Sequence, residues 1–368
     1  MEFVDIKKQY LLYKKEIDFA IHEVLDQGNF IMGEQVKTLE TNLAEYVGVE
    51  HCIAVSSGTD SLQIALMALG IGPGDEVITV PFTWISSTEV IGLVGATPVF
   101  VDIEEDTFNI DVTKIEEAIT PKTKAILPVN LFGQMPDYAH INAIAQKYGL
   151  HVIEDAAQSF GSTQYGQKSC SMTVIGSTSF FPAKPLGCYG DGGALFTNNE
   201  ALAARMRAIR THGGERRHHH ICLGMNGRLD TIQAAILLAK FPHFDEELKA
   251  RERVASFYSR ELADYCVVPQ IMEGNTHVYA NYTIRAANRD ELARFLLSKG
   301  IPTGVYYPKC VHEQPVFAHL GYKKGSMPVA EKASNELLSL PMHPWLSQDE
   351  LIKIVESIKE FLCVPAIR

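Results

Sequence analysis

The residues with the most chemistry in them run Ser179-Phe180-Phe181-Pro182-Ala183-Lys184-Pro185-Leu186-Gly187-Cys188-Tyr189-Gly190-Asp191-Gly192-Gly193. Surface lysines usually sit among polar neighbours, whereas Lys184 lies between aromatics, prolines and a glycine-rich turn. Such a setting strips water from the amine. That lowers its pKa and frees the neutral, nucleophilic form for Schiff-base chemistry with a carbonyl. An ordinary lysine in a tight loop is the competing reading of this run taken alone. Upstream, His151-Val152-Ile153-Glu154-Asp155-Ala156-Ala157-Gln158-Ser159 reads as a short apolar strand ending in two acids. Ligands of open α/β sheets bind just outside the carboxyl ends of strands. Asp155 therefore stands where a carboxylate reaches a cofactor, with a helix N-cap before Ala156-Ala157 as the alternative.

A third stretch runs from Cys52 to Gly70: an apolar strand gives way to Ser56-Ser57-Gly58-Thr59-Asp60, and apolar residues then recur at helical spacing. A glycine turn opening a helix presents free amides and the positive dipole end, which together bind phosphate. Capped helices are common, so this signal gains force only beside the other two. Pyridoxal phosphate needs a lysine for its aldehyde and an anion for its pyridinium nitrogen. Lys184 and Asp155 have that relationship.

The elements that must position these residues alternate. Residues 1–30 predict an amphipathic helix with Ile17, Ala20, Ile21, Val24 and Leu25 on one face. Short apolar strands at 52–55, 76–80, 97–102, 124–129, 151–154 and 194–197 then interleave with helical stretches. That pattern predicts a mostly parallel, doubly wound α/β sheet. A long helix is expected from Arg228, crossing to a smaller α+β unit. There, helices are expected at 244–264, 289–299, 329–337 and 348–362, and strands at 278–285 and 303–306. The division is a large domain over 1–245 and a small C-terminal domain over 246–368.

Composition narrows the function. The 368 residues suffice for a large core and two domains. A net charge of −11, with no basic run longer than Arg216-Arg217, removes the electrostatic drive for nucleic-acid binding. No segment is apolar for long enough to span a bilayer, and Met1-Glu2-Phe3-Val4-Asp5 has no signal-peptide pattern. Seven scattered cysteines without CxxC spacing read as reduced thiols, which points to the cytoplasm. His218-His219-His220 has no second ligand pair at metal-binding spacing, so no metal is expected. With Arg216 and Arg217 it forms a polar loop open to an anionic nucleotide.

Ordered along nearly the whole chain are Phe30-Ile31-Met32-Gly33, Ser57-Gly58-Thr59-Asp60-Ser61-Leu62, Gly72-Pro73-Gly74-Asp75-Glu76-Val77-Ile78, Pro81-Phe82-Thr83-Trp84, Glu154-Asp155-Ala156-Ala157-Gln158-Ser159, the Lys184 run, and Asn226-Gly227-Arg228-Leu229-Asp230 with Gln233-Ala234-Ala235. In these the chain resembles the DegT/DnrJ/EryC1/StrS family of pyridoxal-phosphate-dependent nucleotide-sugar aminotransferases. The resemblance implies the fold-type I, aspartate-aminotransferase-like architecture. It implies amino transfer from L-glutamate to a nucleotide-linked keto-sugar, in a homodimer with shared active sites. Lys184 and Asp155 take the catalytic roles it implies. Gly58, Thr59 and Ser179 resemble the phosphate cradle, Trp84 the aromatic on the cofactor ring, and Gln158 the neighbour of its phenolic oxygen. Asn226 resembles the residue that reaches the partner subunit's phosphate. Arg228, Tyr306, Tyr307 and His312 match positions lining the sugar site; solvent loops are the bland reading for these four, and a core tryptophan for Trp84.

Within the family, the stretches 178–193, 217–220 and 226–230 are most similar to the 3-aminotransferases that make UDP-2-acetamido-3-amino-2,3-dideoxy-glucuronate for the O-antigen of lipopolysaccharide. Tyr306 departs from them, since they carry histidine before Tyr-Pro. A dTDP-3-keto-6-deoxy or UDP-4-keto sugar is the alternative substrate. A sugar dehydratase on the same fold would replace the lysine with histidine, and a regulator would lack it or carry a basic face. Lys184 and the net acidity disfavour both.

Overall fold

The computed structural model describes residues 1–363; positions 364–368 of the expected C-terminal domain lie outside the described residues. The stretch expected as one amphipathic helix is two, α1 (Ile6–Leu12) and α2 (Lys14–Gln27). Asp5 caps α1 by accepting from the Lys8 amide at 2.8 Å. The break falls at Tyr13, whose ring stacks on His243 with centroids 4.1 Å apart. Ile17 and Val24 are buried and Ala20 and Ile21 half-buried, but Leu25 faces solvent with Leu11, Leu12 and Phe19.

After α3 (Glu34–Val47) the chain runs β1 (His51–Val55), α4 (Gly58–Ala68), β2 (Glu76–Thr79), α5 (Ser86–Leu93), β3 (Thr97–Phe100), β4 (Thr123–Ile126), α6 (Tyr138–Tyr148) and β5 (His151–Asp155). A small hairpin, β6 (Thr163–Gln164) and β7 (Gln167–Lys168), precedes β8 (Ile175–Ser179), β9 (Gly193–Thr197) and α7 (Glu200–Arg210). Seven strands form one sheet in the order β1-β9-β8-β5-β4-β2-β3. It is mostly parallel, as expected; β9 alone runs antiparallel, to both β1 and β8. The reason is local. Residues 180–192 hold no helix, and a parallel return to the same sheet needs a crossover, usually helical.

Strand β8 is missing from the sequence-based strands because Ile175-Gly176-Ser177-Thr178-Ser179 has no apolar run. Its buried hydroxyls are paired instead: Ser177 with Ser61, and Thr178 Oγ1 with the Ala156 carbonyl at 3.1 Å. Alternation along β1 shows how the sheet divides its core. Ile53 and Val55 face one apolar cluster with Val77, Ile78 and Ile126, while Cys52 and Ala54 face another with Leu39, Phe160, Phe180 and Phe196.

A hairpin, β10 (Gly214–Arg216) and β11 (His219–His220), leads on to α8 (Thr231–Lys240) and α9 (Phe244–Leu262). The helix expected from Arg228 starts at Thr231, after Asp230 in extended geometry; Arg228 itself bridges Val55. A third apolar cluster, including Tyr258, Tyr282, Ile284, Leu292, Leu338 and Ile354, joins α9 to β12 (Tyr282–Arg285), α10 (Arg289–Ser298), β13 (Leu337–Leu340) and α12 (Gln348–Cys363). Helix α11 (Pro328–Glu336) ends where β13 begins, so the expected helix end at 337 is a strand start. The expected strand 303–306 is a single bridge, Gly304 to Ser339, and the expected strand 278–285 is confined to β12. No helix among the described residues is long and apolar enough to cross a membrane.

Candidate active site

Adjacent strands set four chain ends side by side: Val55 and Ser179 each pair with Gly193, and Asp155 pairs with Ser177. Because β9 is reversed, its first residue lies with the carboxyl ends of β1, β8 and β5. The 180–192 connection leaves and returns at that edge, carrying Lys184 with it. The Lys184 amide donates to Phe181 O and the Cys188 amide to Phe180 O, both at 2.8 Å, winding the run into a closed loop. At Gly187 a Cβ would stand 2.6 Å from Phe181 O and Pro182 O, so the loop closes only on glycine.

Lys184 keeps some accessible surface yet is crowded by protein. Burial pulls its amine down to about 8, against the opposing pull of the Asp155 charge. At pH about 7.5 such an amine is about one-quarter neutral, whereas an ordinary lysine is neutral about once in a thousand. The desolvation expected from the aromatic and proline neighbours is present.

Asp155 ends β5 and no helix follows it, so the N-cap reading fails. Its backbone is pinned by Asp155 N to Pro128 O at 3.0 Å and Asn130 N to Asp155 O at 2.9 Å. The buried carboxylate accepts from Ser87 Oγ at 2.7 Å and from the Ala157 amide at 3.1 Å. Burial holds its pKa above the usual range, while those two donors and Lys184 pull the other way. A further cation at this carboxylate would therefore be welcome. Ser87 is absent from the sequence-derived site; its contact spans 68 positions, and no local motif marks it.

Ser57 caps α4 by accepting from the Asp60 amide at 3.0 Å, which leaves the Gly58 and Thr59 amides as helix-start donors. At Gly58 a Cβ would lie 2.7 Å from Ser179 Cβ, so glycine lets Ser179 approach the helix start. Thr59 Oγ1 lies 2.8 Å from Ser86 Oγ, tying α4 to α5. Gln158 accepts from the Phe132 amide at 2.8 Å and donates to Tyr307 Oη at 3.0 Å, with a second N–H remaining. Tyr307 is thereby part of the same cluster, and burial pushes its phenol pKa well up. Trp84 is 60% exposed with its ring 6.3 Å from that of Tyr307, which removes the core-tryptophan reading. An amine with a populated neutral form, a buried carboxylate and a helix N-terminus together fit pyridoxal phosphate.

The remaining expected residues are placed less centrally. Arg228 is half-buried beside the end of β1, and its Nε is buried with no hydrogen-bond partner. Tyr306 packs between Phe3 and Tyr307, with centroids 6.1 and 5.9 Å away. Asn226 is exposed, its backbone bridged to Thr211. His312 is a correction. Its side chain is fully enclosed, Nε2 lies 3.2 Å from Glu331, and the Phe100 and Tyr322 rings pack beside it, leaving no open face for a sugar. His218, His219 and His220 are exposed at the β10–β11 hairpin with Arg216 and Arg217.

Residues 12–359 match the sequence profile of the DegT/DnrJ/EryC1/StrS aminotransferase family. A UDP-2-acetamido-2-deoxy-3-oxo-D-glucuronate aminotransferase of Pseudomonas aeruginosa is 50% identical, over 96% of this chain and 98% of its own. A protein of Geobacillus stearothermophilus named as a pleiotropic regulatory protein is 49% identical, over 97% of each. The structure of NtdA from Bacillus subtilis with bound cofactor PMP superposes with a TM-score of 0.89 at 34% identity, covering 95% of this chain and 82% of that one.

Proposed function

The chain belongs to the DegT/DnrJ/EryC1/StrS aminotransferase family, and from that premise we propose that it moves an amino group from L-glutamate to C3 of a UDP-linked 2-acetamido-2-deoxy-3-oxo-hexuronate. It is a sugar aminotransferase, and its cofactor is pyridoxal phosphate, of which PMP is the aminated form. The pairing of Lys184, on the loop between β8 and β9, with Asp155, at the end of β5, carries the reading. When bound, the cofactor supplies an aldehyde carbon and an electron-accepting ring.

The chain's own residues do the rest. Lys184, with a neutral form populated near neutral pH, offers its lone pair to the aldehyde. The same Nζ would be the base placed to take a proton from the amino donor's α-carbon. Asp155, fixed by Ser87 and Ala157, would supply the negative charge that keeps the ring nitrogen protonated. The Gly58 and Thr59 amides with Ser179 bind the phosphate at the start of α4. Gln158, steadied by Tyr307, orients the phenolic oxygen, and Trp84 limits tilt of the ring. Despite the regulatory name of one relative, the lysine–carboxylate pair and a net charge of −11 favour the enzyme reading for this chain.

Substrate choice rests on the name of the 50% identical relative and on Arg228. Its guanidinium offers a carboxylate a planar, bidentate fit that an ammonium lacks. Arg228→Lys is expected to lower kcat/KM for the uronate about 10- to 100-fold, since the charge stays but the bidentate hydrogen bonding is lost. Purified protein assayed on a panel of UDP- and dTDP-keto-sugars with glutamate tests the whole proposal. Preference for a neutral 4-keto or dTDP-3-keto sugar would overturn the uronate assignment and leave the aminotransferase intact.

A homodimer with shared sites is part of the proposal. Exposed apolar side chains support it: Leu11, Leu12 and Phe19 at the N-terminal helices, and Ile221 and Leu223 beside exposed Asn226. If Asn226 serves the partner's phosphate, mixing Lys184→Ala with Asn226→Asp chains leaves one intact site per heterodimer. Equal mixing then restores about a quarter of wild-type activity. No rescue after verified subunit exchange would mean that each site is built from one chain.

A further inference from the structure

The loop that carries Lys184 is gripped from α8 by two side chains. Gln233 Oε1 accepts from the Tyr189 amide at 3.0 Å. Lys240, 2% exposed, donates its Nζ to the Gly187 carbonyl and lies 4.9 Å from the centroid of the Tyr189 ring. Among the described residues Lys240 has no ion-pair partner. Glu247, the acid that acts most on its charge, is bound by both its oxygens to Gln9 Nε2 at 3.1 and 3.0 Å.

Taking an ammonium out of water costs several kcal/mol, and a methionine would fill similar volume without that cost. What the ammonium does hold is specific. Gly187 is where the loop closes so tightly that no side chain fits, and its carbonyl is the atom Lys240 takes. Cys188, the next residue, is fixed by its amide to Phe180 O, and its Sγ donates at 3.1 Å to the same carbonyl. The segment is therefore tied at Gly187, Cys188 and Tyr189, three to five residues after the lysine. Burial draws the Lys240 amine down to about 8, with Glu247 and Cys188 raising it and Arg251 lowering it, so the donor stays largely protonated at neutral pH.

We infer that Lys240 is a positioning residue for Lys184: its buried ammonium fixes the Gly187 carbonyl and so sets the direction from which the Lys184 amine enters the site. This rests on Lys184 being the cofactor lysine. Lys240 touches neither substrate nor cofactor; it acts through the loop.

Amide hydrogen exchange on the holoenzyme reads the clamp directly. In Lys240→Met, a peptide covering 181–189 is expected to exchange about tenfold faster, while one covering 151–155 is unchanged. Turnover falls about tenfold with the KM for the amino donor within about twofold, because orientation is lost and binding is not. Lys240→Arg, which keeps charge and donor, restores much of both. Wild-type exchange over 181–189 in Lys240→Met overturns the inference, as do methionine and arginine variants alike in every readout, since that would reduce the residue to packing. Should Lys240→Met fail to fold, Lys240→Gln removes the charge and shortens the reach to the Gly187 carbonyl while keeping a polar head. It is expected to speed exchange of the same peptide about threefold or more, and a wild-type rate there overturns the inference. Exchange does not depend on which lysine binds the cofactor, so failure of the clamp and failure of the Lys184 assignment are told apart.

Discussion

Lys184→Ala protein is expected to lack the lysine-linked cofactor and its absorbance, and to lose turnover by at least about 10⁴-fold, the scale of removing a residue that is both nucleophile and proton carrier. Wild-type protein treated with borohydride should carry one reduced pyridoxyl group, found on Lys184 by peptide mapping. The case is physical. Lys184 couples a buried amine, drawn down to about 8, to the Asp155 carboxylate, which opposes the shift. Lys240 is the instructive contrast: its amine is drawn down as far, but it is spent on a carbonyl. A perturbed lysine is thus not by itself a catalytic one; each has an acid acting on it, Asp155 on Lys184 and Glu247 on Lys240, and what separates the two is the accessible face of Lys184. A pyridoxyl group mapped to any other lysine, Lys240 included, would sink the assignment.

How much of this was legible beforehand follows from the range of each signal. The turn at Ser57-Gly58-Thr59 and the strand ending on Asp155 are local patterns, and both elements form where their residues predict them. The loop around Lys184 betrayed itself by composition, since prolines and glycines leave little else for 180–192 to be. Strand β8 did not, because its small polar residues are satisfied by partners far along the chain, Ser61 among them. Without β8 the antiparallel return of β9 could not be foreseen, and that return brings Gly193 to the site's edge. Ser87 and the Gln158–Tyr307 contact, which spans 149 positions, were invisible for the same reason. His312 shows the converse failure. A position matched by resemblance carries a role only if its side chain faces the cleft, and burial against Glu331 is not written in the residue's own neighbourhood.

Asp155→Asn should keep the cofactor and lose about 10²–10³-fold in kcat, the range for removing one preorganised electrostatic partner of a transition state. The substitution is nearly isosteric, and the amide oxygen can still accept from Ser87 or Ala157, so the fold at the end of β5 should hold. What disappears is the negative charge. That carboxylate sits above its ordinary pKa because it is buried, and two neutral donors and the Lys184 ammonium offset the burial. A protonated ring nitrogen would add a cation beside this carboxylate, so that carboxylate and ring would stabilise each other's charged forms. An amide supplies no such charge, so the variant would not keep the ring nitrogen protonated, and the electron pull that protonation supplies to loosen the α-proton would weaken. Because that pull matters most as the α-proton leaves, the loss should appear in kcat far more than in cofactor affinity. Ser87→Ala should move in the same direction by a smaller step, about 1 kcal/mol or some fivefold, since it removes one hydrogen bond and leaves the charge. Turnover in Asp155→Asn within about threefold of wild type would reduce Asp155 to a fixture of the β5 turn and send the search for the ring's partner elsewhere.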